Sequence, residues 1–526
     1  MRKLVALSLA LILCLSVTAG ALAEITWDSE ELSWKQNKEP VTFSLFHNMT
    51  WAPMDVWGKD HVSQQVTTDT GISFNVEIQS NDQQLATYVA TGSLPDAVFV
   101  YGSANIDLME NSEVSYAWDE LIEQYAPEFY ELLDETDIEM ATKEDGHFYT
   151  LYTHVRNQEY WDDPTQGLSY GENVISFRQD IMEELGNPEI KTTEDFYNVL
   201  KAAKEKHPEI IAYLQPDFNG TFLASCFGVD DASTQGHTTI DDKGNAIWTY
   251  SDEEPITNYL KFANKLYREG LLSQEGLTYD QEQAKAAVMA GNVFCWAGQA
   301  YDVDQWNEAL DAIEGNTAYY VALRNILTVD GQSLRSSTWG SAGFAGFYIT
   351  KNCKDPARLI QLMEYMRSPY GDHLTQWGVE GLDYEMVNGY PVQYDTYTWK
   401  ERGDNVWYFQ ATFSSENLKA LGVALKNEKY GQMANLVLDF KPYWHYDVAI
   451  AMMSNAESNS YEGDIWTTMD NIRKNSLTAA IVCKTEEECD KAISDYFTAI
   501  KNAGLDDYNK FLNDQYQAIK AKIAQE

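Results

Sequence analysis

The sequence predicts an α/β protein of two lobes, each a mainly parallel sheet flanked by helices. Three observations carry this expectation. Residues 41–101 alternate strand, helix, strand, helix, strand, a pattern that builds a parallel sheet covered on both faces. The pattern resumes at Val174, after an aromatic and charged stretch from His147 to Trp161. The chain of 526 residues also exceeds the size at which a single hydrophobic core stops growing.

The N-terminus has the layout of an export signal. Arg2 and Lys3 precede an apolar run from Leu4 to Val17, and Ala21-Leu22-Ala23 follows. The run is too short to span a bilayer comfortably, and A-x-A marks a cleavage site. Residues 1–23 are expected to be removed, leaving Glu24 first. Cys14 lies in mid-run behind Leu13, where a lipoprotein signal carries a small residue, so lipid attachment is not expected there. Residues 24–40 form a polar lead-in, and no later stretch is apolar enough for a membrane span.

The first lobe opens with Val41 to Phe46, whose alternation and β-branched residues read as a strand. Val56 to Thr70 show helical spacing up to Gly71, and Ile72 to Ile78 alternate again. Gln83 to Thr91 form a helix ended by Gly92. Leu94-Pro95-Asp96 then turns the chain into Ala97 to Tyr101, an apolar run suited to a buried parallel strand.

In the second lobe Val174 to Phe177 is a short strand and Arg178 to Leu185 a helix stopped by Gly186. A helix capped by Thr192 or Thr193 reaches His207. Asp241 to Asn245 makes a hairpin turn, and Glu253 to Glu269 a helix stopped by Gly270. Residues 280–290 are helical and lead into a strand from Val293 to Trp296; Gly343 to Thr350 is strand-like. Asp355 to Ser368 is an amphipathic helix with Leu359, Leu362, Met363 and Met366 on one face. Glu486 to Ile523 is mostly helical. Repeats and Pro-rich linkers are absent, so ordered segments join the lobes. The expected division is 24–155 in lobe 1, 156–335 in lobe 2, 336–398 returning to lobe 1, and 399–526 completing lobe 2.

Net charge is −44, and loss of Arg2 and Lys3 takes it to −46. That charge repels phosphate backbones and anionic lipid, so nucleic acid is not an expected partner. Five cysteines remain after cleavage: Cys226, Cys295, Cys353, Cys483 and Cys489. Cys483 and Cys489 are close enough in sequence to bridge, or all five are buried as small hydrophobes. Phosphate-loop, dinucleotide, zinc-protease and serine-hydrolase motifs are missing. His147 and His154 have no third ligand nearby, so neither metal nor cofactor is expected.

Four segments, in order, resemble the extracellular solute-binding proteins of ABC importers, the family of maltose-binding protein and the larger oligosaccharide-binding lipoproteins. "LATYVATGSLPDAVFVYG" within residues 41–101 resembles the family's A-x-G-x-x-P-D-[hydrophobic] strand entry. "ISFRQDIMEELGNPEIKTTEDFYNVLKAAKEKHPE", 175–209, resembles the element that begins the second lobe. "LYREGLLSQEGLTYDQEQAKAAVMAGNVFCWAGQ", 266–299, resembles its Y-x-x-G-L … A-x-x-x-G element. "GFYITKNCKDPARLIQLMEYMRSPYGDHLTQWGVEG", 346–381, is similar to its late helix region. Two features depart from the pattern: no lipobox cysteine is evident, and Gly371-Asp372 stands where many members have Glu-Gly.

The resemblance implies a type II periplasmic-binding-protein fold without chemistry of its own. It also implies a monomeric protein with a small-molecule ligand, an oligosaccharide above all, which it hands to ABC permease subunits in the membrane. A secreted carbohydrate-active enzyme, or a binder of a non-sugar ligand such as a peptide, is the alternative.

Ligands of open α/β sheets sit at the carboxyl ends of strands, and sugars are held by flat aromatic faces and hydrogen-bonding side chains. The chain is rich in aromatics, with 15 Trp, 33 Tyr and 20 Phe. Asn48 and Trp51 follow the first strand, Tyr101 ends the third, and Arg156 lies in the crossover between lobes. Phe177 follows the second lobe's first strand, Trp296 ends "VFCW", and Trp339 precedes the re-entry strand. The resemblance implies that aromatics at or beside Tyr101, Phe177 and Trp296 line the cleft, with Trp466 as a late cleft aromatic. For each aromatic the competing role is core packing.

Overall fold

The computed structural model describes residues 32–523 apart from 51–55, 134, 144, 154, 157–172, 217–220, 230–236, 334–336, 340, 343–344, 388–389, 395–435, 437–439, 441–442, 454–455 and 457–459. The expected export signal and about half of the lead-in lie outside these residues.

Val41–His47 (β1) pairs in parallel with Ile72–Ile78 (β2), Val41 opposite Ile72. Between them His61–Thr70 (α1) is capped by Asp60, whose side chain accepts from the Ser63 N–H. It stops at Gly71, where φ is 74° and a Cβ would lie 2.3 Å from the Lys38 carbonyl oxygen, so only glycine fits. Gln84–Thr91 (α2) leads into Ala97–Tyr101 (β3), parallel to β1 with Leu45 opposite Ala97. Ser103–Met109 (α3), Trp118–Tyr125 (α4) and Glu135–Ala141 (α5) cover this sheet, and Val155–Arg156 (β4) leaves it.

The next part begins with Asn173–Arg178 (β5), Gln179–Glu184 (α6) and Thr193–Lys206 (α7). Of the two candidate caps of α7 it is Thr192 that acts, in a reciprocal box with Asp195. Ile211–Leu214 (β6), Thr221–Cys226 (α8), the hairpin Thr238–Ile240 (β7) and Ala246–Trp248 (β8), and Glu253–Arg268 (α9) follow. Then come Gln281–Met289 (α10), Val293–Gln299 (β9), Ala300–Asp311 (α11) and Tyr320–Ala322 (β10).

The chain returns through Ser337–Trp339 (β11), Ser341–Ala342 (β12) and Ala345–Ile349 (β13). Pro356–Arg367 (α12), Pro369–Trp377 (α13) and the hairpin Tyr384–Val387 (β14) with Tyr390–Gln393 (β15) come next. Trp444–Tyr446 (β16), Val448–Ala451 (α14), Tyr461–Ile481 (α15), Glu486–Asn502 (α16) and Leu505–Ile523 (α17) complete it.

Two four-stranded sheets result, ordered β13-β3-β1-β2 and β10-β5-β9-β6. In each, three strands point one way and one runs against them: β13 in the first, β5 in the second. Each sheet has its own core. One gathers buried side chains between Leu32 and Tyr152 with others between Ala345 and Leu374. The other gathers those between Val174 and Leu327 with others from Leu436 to Tyr516. Short ladders lie in the passages between them: β4 with β12, antiparallel, and β11 with β16, parallel. An exposed ion pair, Lys522 Nζ to Glu139 Oε1 at 3.0 Å, also links α17 to α5.

All five cysteines from Cys226 to Cys489 are free thiols, so the bridge considered for Cys483 and Cys489 is absent. No helix among the described residues is long and apolar enough to cross a membrane.

Candidate ligand-binding site

Three parallel strands of the first sheet end side by side at His47, Ile78 and Tyr101. Loops diverge from such a carboxyl edge and leave a crevice. Here it is a groove of about 310 Å³ with a polar wall: Asn48 and Thr50 after β1, Gln79 to Asp82 after β2, and Tyr101, Gly102 and Asn105 after β3. Amides and hydroxyls dominate this lining, and Asp82 is its one charged side chain.

The backbone pairing of β1 with β3 stops at His47 opposite Phe99. Beyond it the Asn48 side chain continues the ladder. The Tyr101 N–H donates to Asn48 Oδ1 at 3.1 Å, and Asn48 Nδ2 donates to the Tyr101 carbonyl at 3.0 Å. Asn105 Nδ2 donates to the same carbonyl at 3.1 Å. Asn48 is 6% exposed, and its amide is committed to the Tyr101 main chain. The residue expected to contact ligand is therefore first a clasp that holds Tyr101 in place. Gly102, with φ 86°, then turns the chain into α3 through a conformation that side chains disfavour.

Tyr101 also borders the crossover. It pairs with Ala345, the first residue of β13, and the Thr153 N–H donates to the Ala345 carbonyl at 2.9 Å. Nearby, Arg156 pairs with Ser341. In the second sheet β5 begins at Asn173, opposite Gln299 at the carboxyl end of β9. Gln215, just past β6, donates from Nε2 to the Tyr259 hydroxyl at 3.0 Å. Asp302, just past β9, accepts from the Gln299 N–H at 3.2 Å and from Gln281 Nε2 at 3.0 Å. Burial pushes the Asp302 carboxyl up to about 6.

Two expected ligand residues are core residues instead. β9 does not end at Trp296 but continues to Gln299. Trp296 is 0% exposed, stacks on Trp306 at 4.3 Å and 21°, and meets Tyr320 edge-on at 6.1 Å. Gly298 leaves room for it: a Cβ there would lie 1.6 Å from the indole. Cys295 and Trp296 point to opposite faces, yet both are fully buried, because helices cover both faces of this sheet. Phe177 is 3% exposed and packs on Phe196 and Phe294. Its strand runs against β6 and β9, so its carboxyl end is at the far edge. There Arg178 Nη1 donates to the Gly291 carbonyl, before β9 begins.

Trp466 is half-buried on α15 against the second core, and its indole N–H is buried without a hydrogen-bond partner. Arg156 and Trp339 contribute backbone to the ladders of β4 and β11; their side chains, like the whole of Trp51, lie outside the described residues. Of the expected set, the structure brings Asn48 and Tyr101 together. The groove residues outside the expected set are Thr50, Gln79 to Asp82, Gly102 and Asn105. Their signal was in plain view, since the polar run Gln79-Ser80-Asn81-Asp82 directly follows a strand. A search weighted toward aromatics does not pick it out.

No protein-family model matches the chain. Over 497 residues it is 24% identical to the fructooligosaccharide ABC transporter substrate-binding protein FusA of Streptococcus pneumoniae serotype 4, covering 87% of each chain. A solved FusA EF-hand mutant in complex with fructo-nystose superposes with a TM-score of 0.65 and 18% identity over 92% of this chain and 100% of that one. The alginate-binding protein AlgQ2, solved without calcium ion, superposes with a TM-score of 0.64 and 18% identity over 91% and 99%. The fold is thus the two-lobed one of these solute-binding proteins.

Proposed function

We propose that this chain, a solute-binding protein of the ABC-importer kind, captures an oligosaccharide in the cleft between its lobes and presents it to membrane permease subunits. The observation that carries the reading is the groove at the carboxyl edge of β1, β2 and β3. Its amides and hydroxyls surround Tyr101, the combination that polyhydroxylated rings call for. The groove also adjoins the strands that cross between lobes, where hinge closure would act. The similarity to a fructooligosaccharide-binding protein supports the same ligand class.

On this reading residues 24–155 and 336–398 make one lobe, and 156–335 with 399–526 the other. The protein is exported with loss of residues 1–23, works as a monomer outside the cytoplasm, and catalyses no reaction. Ligand contacts come from Tyr101 and the polar groove wall, with Arg156, Trp51, Trp339 and Trp466 as further candidates.

The test is a thermal-shift and calorimetric screen of the mature chain against kestose, nystose, maltotriose, monosaccharides, amino acids and tripeptides. Oligosaccharides should raise the melting temperature and bind with micromolar or tighter affinity. Tyr101→Ala should weaken that binding by about 2 kcal/mol or more, as a contact at the centre of a site does. Binding confined to peptides would overturn the reading, and so would release of reducing sugar from polysaccharides by purified protein.

A further inference from the structure

The second wall of the groove, from Gln79 to Asp82, is held by a side chain that does not line it. Gln84 is the first residue of α2. Its Oε1 accepts from the Ser80 N–H at 2.7 Å and from the Ser80 hydroxyl at 2.9 Å. Its Nε2 donates to Glu77 Oε1 at 2.7 Å and to the Tyr88 hydroxyl at 3.0 Å. The orientation of this amide is determined, because a backbone N–H only donates and a carboxylate only accepts. Both lone pairs and both N–H groups are used.

The network extends into the sheet. The Tyr88 hydroxyl donates to Glu77 Oε1 at 2.7 Å, and the Tyr88 ring meets Phe46 of β1 edge-on at 5.7 Å. One carboxamide therefore ties the end of β2, the turn after it and the first turn of α2 to one another. Other bonds within the turn are short-range ones: Gln79 Nε2 reaches Asp82 Oδ1 at 3.2 Å, Asn81 Nδ2 donates to the Ser80 hydroxyl at 3.2 Å, Asn81 Oδ1 accepts from the Gln83 N–H at 3.1 Å, and the Asn81 carbonyl accepts from the Gln84 main-chain N–H at 3.1 Å. Ser80, Asn81 and Asp82 are otherwise exposed.

We propose that Gln84 is a positioning residue of the groove, presetting the Ser80–Asp82 lip that faces the ligand without touching the ligand itself. The proposal rests on reading the groove as the oligosaccharide site. A lip ordered at folding does not have to be ordered again at binding, so its fixation favours affinity. Gln84 opens a helix at the surface, where methionine has nearly the same helix propensity as glutamine. Its loss should therefore affect the lip far more than the fold.

The experiment uses the full mature chain, with amide hydrogen exchange over residues 79–82 and calorimetry with kestose, nystose and maltotriose. Gln84→Met should speed exchange at Ser80 and weaken the best-bound probe by about tenfold, the equivalent of one to two hydrogen bonds, with the unliganded melting temperature nearly unchanged. Gln84→Glu should behave alike, because it sets a carboxylate against Glu77. Adding Glu77→Gln to it exchanges donor and acceptor, and should return exchange and affinity toward wild type.

Unchanged exchange at Ser80 in Gln84→Met overturns the proposal, as does unchanged probe affinity or a paired variant that fails to recover. If no probe binds the wild-type chain, the oligosaccharide reading falls by itself. The exchange measurement still decides whether Gln84 sets the lip.

Discussion

Asn48 and Tyr101 exchange two hydrogen bonds, side chain to main chain, at the point where the β1–β3 ladder has stopped. A side-chain amide thus replaces a missing residue pair, and the aromatic at the groove mouth is held by a strand two places away in sequence order but adjacent in the sheet.

This relationship predicts a graded response. Asn48→Ala leaves the Tyr101 N–H without its acceptor and should cost about 1–3 kcal/mol of stability, with a loss of ligand affinity alongside. Asn48→Asp keeps that acceptor but sets a buried carboxylate oxygen against the Tyr101 carbonyl in place of the Nδ2 donor, so its loss should be at least as large. Urea unfolding of both variants checks the order. Equal stability of Asn48→Ala and wild type would show that the clasp does nothing for the fold.

Trp296 should behave as a core residue. Trp296→Ala empties the space between Trp306 and Tyr320 and should destabilise the unliganded protein by about 3–5 kcal/mol. Trp296→Phe, which keeps an aromatic there, should bind ligand almost normally. A near-normal melting temperature for Trp296→Ala would contradict the packing described above.

Asp302 makes stability depend on pH. Its folded value of about 6 lies above the usual unfolded value near 3.9, so the folded state binds the proton more tightly. Stability is then fullest below about pH 4, falls as pH rises through 6, and is level above that. The loss is on the order of 3 kcal/mol at neutral pH. Burial shifts the carboxyls of Glu110 and Glu364 upward as well, so the effect is read as a difference between wild type and Asp302→Asn. That variant should flatten the unfolding free energy between pH 4 and 7. Parallel curves for the two proteins would count against it.

Ligand should draw the lobes together. The chain crosses between two separate cores through short ladders, which a hinge motion can bend without unpacking either core. Solution scattering with a confirmed oligosaccharide should give a smaller radius of gyration than without it. Identical profiles would mean a rigid cleft.

The sequence by itself determined the local elements. Alternation marked β1 and β2, a continuous apolar run marked β3, and Gly71 and Gly92 stop α1 and α2 where expected. A threonine cap for α7 was legible, and the structure chose Thr192 over Thr193. Asn48 and Tyr101 were legible as neighbours of a carboxyl edge because parallel strands joined by helices must end on the same side. Only the tertiary structure decided the direction of β5, the depth of Trp296 and the use of the Asn48 amide. A strand buried on both faces is apolar throughout, so its periodicity carries neither its direction nor which aromatic lies near an opening. Those depend on which distant segments pair with it and cover it, as β5, β6 and α11 do for β9, and such partners are chosen by the packing of the whole lobe rather than by neighbours along the chain.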